Sequence, residues 1–175
     1  MNYANIKNTD IANGEGIRIS LFVSGCTHHC KNCFNQETWD FNFGKPFTKE
    51  TEDYIISLLQ PNYIKGITLL GGEPMEPQNQ KALLPFIKRL KETYKNTKNI
   101  WCYTGYIFDK DLIQNGRANC ESTKELLSYI DVLVDGPFIE SLKNISLKFR
   151  GSSNQRIIDV QKSLAEGKVV LHCEN

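Results

Sequence analysis

The chain has 175 residues, 40% hydrophobic and 23% charged, which suits one domain spanning residues 1–175 and is too short for a full barrel plus a substrate domain. With 21 Lys and Arg against 20 Asp and Glu, the net charge of +1 gives no long-range pull toward nucleic acid. The longest apolar runs, such as Ile19 to Val23, fall far short of the roughly 20 residues of a membrane helix, so a membrane is not an expected partner either.

Met1 to Asn5 lack the basic start and apolar stretch of a secretory signal, which predicts a cytoplasmic protein. Ile17 to Val23 is β-rich and runs into Ser24-Gly25, a breaker that turns the chain out of a strand just before Cys26. Thr51 to Leu59 carries Ile55, Ile56, Leu58 and Leu59 at helical spacing, behind the capping residues Thr48 to Thr51. Gly66 to Leu70 is the next strand, closed by Gly71-Gly72-Glu73-Pro74, and Gln80 to Tyr94 the next helix. Asn99 to Tyr103, Glu121 to Tyr129 and Ile130 to Asp135 continue as strand, helix and strand. After Lys148 the chain is polar and turn-prone, with Arg156 to Val160 and Lys168 to Leu171 as short strands of a C-terminal flap. The alternation predicts an α/β fold: a partial (β/α) barrel of parallel strands joined by right-handed βαβ crossovers, its ligand site at the strands' C-terminal ends.

Six cysteines in a reducing compartment do not read as a disulfide framework, and three of them fall within Cys26-Thr27-His28-His29-Cys30-Lys31-Asn32-Cys33. This C-x3-C-x2-C loop suits one cuboidal iron–sulfur cluster. Each iron of such a cluster takes one ligand beyond its sulfides, so three thiolates leave one iron open to an outside group. A zinc knot completed by His28 or His29 is the alternative, although no second Cys pair follows to close such a module, and the two histidines read better as loop residues or supports. Cys102, Cys120 and Cys173 stand alone and read as ordinary thiols. At Gly71-Gly72-Glu73-Pro74 two glycines let backbone carbonyls approach a ligand and Glu73 adds an anionic acceptor, a pocket suited to an ammonium group; taken alone the tetrapeptide is a turn with a Pro stop. A plain iron–sulfur electron carrier and a zinc-stabilised interaction module are the alternatives outside enzymology.

The two motifs in this order resemble the radical S-adenosylmethionine superfamily. Asn13-Gly14-Glu15-Gly16-Ile17-Arg18, Cys33-Phe34-Asn35-Gln36-Glu37-Thr38-Trp39 and Arg150-Gly151-Ser152-Ser153-Asn154-Gln155-Arg156 narrow the resemblance to the glycyl-radical activases of anaerobic ribonucleoside-triphosphate reductases, from about Tyr3 to Leu171. The resemblance implies one [4Fe–4S] cluster on Cys26, Cys30 and Cys33. It also implies S-adenosylmethionine held at its amino group by Gly71, Gly72 and Glu73, with Thr104 and Asp135 as further contacts that also read as turn residues. The implied partners are the large subunit of the reductase, whose glycine loop is the substrate, and a reductant such as flavodoxin or ferredoxin. An activase of formate lyase shares both main motifs, and 7-carboxy-7-deazaguanine synthase is a more distant enzymatic alternative. Asn32 departs from the superfamily, where an aromatic residue often precedes the third cysteine and packs near the adenine; Phe34 is adjacent. Arg150, Asn154 and Arg156 read as a surface turn or as contacts to cofactor or partner.

Overall fold

The computed structural model describes residues 1–173. Seven strands, β1 (Asn2–Asp10), β2 (Ile17–Val23), β3 (Lys45–Pro46), β4 (Ile64–Gly71), β5 (Asn99–Tyr103), β6 (Val132–Asp135) and β7 (Arg156–Asp159), form one sheet in the order β3-β1-β2-β4-β5-β6-β7. The run β2-β4-β5-β6 is parallel, while β1, β3 and β7 pair antiparallel at its flanks. Helices α1 (Lys49–Leu58), α2 (Pro77–Tyr94) and α3 (Thr123–Tyr129) connect the parallel strands, and α4 (Val160–Glu166) follows β7. None of the helices among the described residues is long and apolar enough to cross a membrane.

Side-chain alternation divides the sheet into two unlike faces. Ile19, Leu21, Ile67, Leu69, Ile100, Cys102 and Leu133 point to one face and pack in one buried cluster with Ile55 and Leu59, with Leu83, Phe86 and Leu90 of α2, and with Leu126 of α3. The crossover helices therefore lie on the same face, as strand order advancing in one direction requires. Arg18, Ser20, Thr68, Trp101 and Val134 alternate to the other face, where Trp101, Val132, Val134 and Ile157 make a smaller cluster. That second face, left uncovered by the crossover helices, carries the cavity described below.

The sheet is open, so the expected partial barrel is not borne out. Antiparallel strands occupy both flanks of the parallel run, and among the described residues the outer edge of β7 meets only an isolated bridge from Ile158 to Leu171. The expected C-terminal flap is corrected as well. Ile157 and Ile158 bury on opposite faces, which makes β7 an integral strand, and Asp159 then caps α4 by accepting the Lys162 N–H at 3.0 Å. Lys168 to Leu171 contributes only the bridge at Leu171.

Candidate functional site

The chain leaves β2 through Ser24 and Gly25 into the cysteine loop, and leaves β4 through Gly71 into the turn beside it. The two turns are hydrogen-bonded to each other: Gly72 N–H donates to Val23 O and Glu73 N–H to Gly25 O, both at 2.8 Å. A Cβ at Gly72 would stand 2.8 Å from the Gly25 carbonyl oxygen and 2.9 Å from that of Thr38, so bare backbone here admits the cysteine loop itself. Asn79, wholly buried in the first turns of α2, donates to Ser24 O at 3.0 Å and Glu73 O at 2.9 Å, tying helix to both turns. Gly25 N–H to Thr38 O and Cys26 N–H to Trp39 O close the base of the loop.

Each of the three cysteines follows a residue with positive φ: Gly25 at 97°, His29 at 49° and Asn32 at 59°. The left-handed region is accessible to Gly and to Asn at low cost and less so to other residues. Such kinks turn backbone N–H groups inward, the arrangement that favours anions at many iron–sulfur sites. Asn32, the departure from the superfamily pattern, thus has a backbone reason. Asn35 N–H lies 3.4 Å from Cys33 Sγ, a donor aimed at the sulfur.

Cys26, Cys30 and Cys33 line one open cavity of about 230 Å³, together with Gly71, Gly72, Glu73 and Thr104. Burial pushes the Cys26 thiol up to about 12, with the Glu73 and Glu76 carboxylates adding to the effect and N–H groups of His28 and His29 opposing it. Burial raises Cys30 as well. Ionising both thiols therefore calls for a strong local cation, which the irons of a cluster provide. The donor set, the inward N–H groups and the shared cavity fit a cluster. Among the described residues no three His, Cys, Asp or Glu side chains converge on a point that suits a single metal ion.

His28 has neither ring nitrogen free for a metal. Its Nε2 lies 2.9 Å from Glu73 Oε2 and its Nδ1 3.3 Å from Arg117 Nη2. His29 instead packs against Trp39, ring centroids 4.5 Å apart and the planes tilted by 53°. Cys102 is buried under the helices, Cys120 lies beside Gln80 and Thr123, and Cys173 is exposed. None of the three borders the cavity.

Thr104 borders the cavity, its hydroxyl oxygen accepting the Tyr106 N–H at 3.0 Å. Asp135 does not. Alternation along β6 sends Val134 to the cavity face and Asp135 to the opposite one, where its carboxylate accepts the Phe108 N–H at 2.8 Å and pairs with Arg156. The polar segment 150–156 also turns inward. Arg150 donates to Gln155 O, Asn154 to Pro137 O, and Arg156 to Asp109 as well as Asp135. From this segment Gly151 and Gln155 border the cavity, beside Gly136 and Phe138 after β6. Gln155 organises that wall: its Oε1 accepts the N–H groups of Gly151 and Ser152, and its Nε2 donates to Gly136 O. The sequence signal for it was Gly136-Pro137-Phe138, a turn directly after a strand at the ligand-bearing end.

A cavity walled by three thiols is the site of an iron–sulfur protein, and residues 12–158 match the family described as a 4Fe-4S single cluster domain. The chain is 47% identical over 159 residues to the anaerobic ribonucleoside-triphosphate reductase-activating protein of Haemophilus influenzae, covering 90% of this chain and 97% of the relative. The protein of the same name from Escherichia coli strain K12 is 45% identical over 157 residues (89% and 96% covered), and that of Enterobacteria phage T4 is 40% identical over 157 residues (90% and 93%). With such identity along nearly its full length, the chain belongs to the family of anaerobic ribonucleoside-triphosphate reductase-activating proteins.

Proposed function

We propose that Cys26, Cys30 and Cys33 hold one [4Fe–4S] cluster, that S-adenosylmethionine docks at its fourth iron, and that the chain thereby installs a glycyl radical in the large subunit of an anaerobic ribonucleoside-triphosphate reductase. The observation that carries this is the meeting of the three thiols with the Gly71–Glu73 turn and Thr104 in one cavity at the C-terminal ends of parallel strands. Loaded with both groups, the site would supply one-electron reductive cleavage of the sulfonium, fed by a donor such as flavodoxin or ferredoxin, and with it the means to take a hydrogen atom from a glycine of the reductase.

The chain's own work is binding and shielding. The three cysteines leave one coordination position for an outside ligand. Gly71, Gly72 and Thr104 line the cavity and receive the methionyl end. Glu73 acts at the same turn, while Asp135 anchors Phe108 and Arg156 on the opposite face of β6. Phe138, Gly151 and Gln155 cover the far wall against water, and the open mouth admits a partner's loop. The names of the relatives favour a ribonucleotide reductase over formate lyase as that partner. The chain acts as a single domain in the cytoplasm.

Anaerobic reconstitution followed by reduction tests the proposal. The expected result is iron and sulfide in equal amounts, release of 5′-deoxyadenosine from S-adenosylmethionine, and a glycine-centred doublet in the spin-resonance spectrum of the added reductase. Zinc in place of iron, or a cluster that leaves S-adenosylmethionine intact, would refute it.

A further inference from the structure

Glu73 is 1% exposed, and both of its carboxylate oxygens are engaged by groups of this chain. Oε1 accepts the Met75 N–H at 2.8 Å, while Oε2 accepts the Gly105 N–H at 2.7 Å and meets His28 Nε2 at 2.9 Å. Met75 belongs to the turn after β4, Gly105 to the turn after β5 and His28 to the cysteine loop. One carboxylate thus ties together three of the segments that border the cavity.

On its outer side His28 Nδ1 lies 3.3 Å from Arg117 Nη2. A guanidinium only donates, so Nδ1 accepts and the ring carries a proton on Nε2, aimed at Glu73. Tyr106 holds this alignment from one face, its ring 4.3 Å from the imidazole and 4.7 Å from the Arg117 guanidinium carbon. The His28 side chain is only 7% exposed despite its place on a loop between two cysteines. A buried carboxylate with three donors already in place has little acceptor capacity left for a ligand's ammonium group.

We propose that His28 is a positioning residue: the line of donors Arg117 to His28 to Glu73 latches the cysteine loop onto the Gly-Gly-Glu turn, setting the span between the thiolates and the backbone that receives the methionyl amino group. Glu73 on this view is the anchor of the latch, and the ammonium is received by backbone carbonyls of the turn. The inference rests on the proposed docking of S-adenosylmethionine, and its test separates the two.

His28→Ala, His28→Gln and Arg117→Ala are reconstituted anaerobically, and S-adenosylmethionine is titrated into the reduced proteins while the cluster's spin-resonance signal is followed. His28→Ala is expected to keep wild-type iron and sulfide per chain but to raise the dissociation constant of S-adenosylmethionine about tenfold, the size of one lost hydrogen bond to a charged group. His28→Gln, which restores a donor toward Glu73, is expected to recover most of that loss, and Arg117→Ala to cause about a threefold rise. Unchanged affinity in His28→Ala, failure of glutamine to rescue it, or loss of the cluster in both His28 variants overturns the latch. A wild-type cluster whose signal ignores S-adenosylmethionine overturns the docking itself, whatever the variants do.

Discussion

The two ends of the parallel strands bury polar groups in quite different ways. Near the N-terminal end, Arg18 is wholly buried, and its guanidinium donates to Thr68 Oγ1, Glu15 O, Asn99 Oδ1, Ile67 O and Asn99 O while lying over the Trp101 ring. Asp10, also buried, accepts from Ala12 N–H and from the side chains of Asn13, Ser20 and Lys7. The donors and acceptors there satisfy one another. At the C-terminal end the Glu73 carboxylate is equally well satisfied, yet three thiols face the cavity without partners of that quality. Polar burial alone therefore does not mark a site; sulfur left to an outside ligand does. The closed end is built for stability and the open end for chemistry.

The sharpest way to break that contrast is at the thiols. Cys30→Ala is expected to lose the cluster and all S-adenosylmethionine cleavage, whereas Cys120→Ala, whose sulfur lies beside Gln80 and Thr123, retains both. Iron analysis and 5′-deoxyadenosine release under anaerobic conditions check this, and equal loss in the two variants would end the distinction. At the closed end, Arg18→Met orphans the Thr68 and Asn99 side chains together with buried carbonyls. The expected cost is about 3 kcal/mol in urea unfolding, with iron per folded chain unchanged. A loss of cluster at undiminished stability would show that the closed end also serves the site.

A smaller effect, readable by pH, comes from Asp10. Burial opposes its ionisation, but hydrogen bonds from Asn13, Ala12 N–H, Ser20 and Lys7 outweigh it and hold the carboxyl down to about 2. Because the folded value lies below the unfolded one, the contribution is fully present above the ordinary carboxylate range and is lost as pH falls through about 2. About 2 kcal/mol of stability is linked to this protonation. Asp10→Asn is expected to remove that part of the acid dependence, measured as urea midpoints between neutral pH and the acid limit.

Much of this was legible in the sequence because the signals were local. Ile17 to Val23 and Gly66 to Leu70 are short apolar runs stopped by glycine, and both emerged as central parallel strands with the expected turns after them. The flanks were not. β1, with Asn2, Asn5, Lys7, Asn8 and Thr9, lacks an apolar face because much of it is exposed, so nothing in its composition announces a strand. Ile107 to Asp111 gave no warning of the π-helix over Phe108–Leu112, whose first N–H is bound by Asp135 from 27 residues away. The cysteine spacing and the Gly-Gly-Glu turn could be placed together from sequence, but the bond between His28 and Glu73 spans 45 residues and follows from no pattern. Asp135 shows the converse: a strand-end carboxylate reads as a ligand until the pleat shows which way it points.

Gly105 sits directly against the His28 ring. A Cβ built there would come within 2.7 Å of the imidazole carbon of His28, so the two positions share a single volume. Through evolutionary time they are expected to covary: lineages that acquire a side chain at 105 should have given up the bulky ring at 28, and lineages that keep the ring should never be found with anything larger than glycine opposite it.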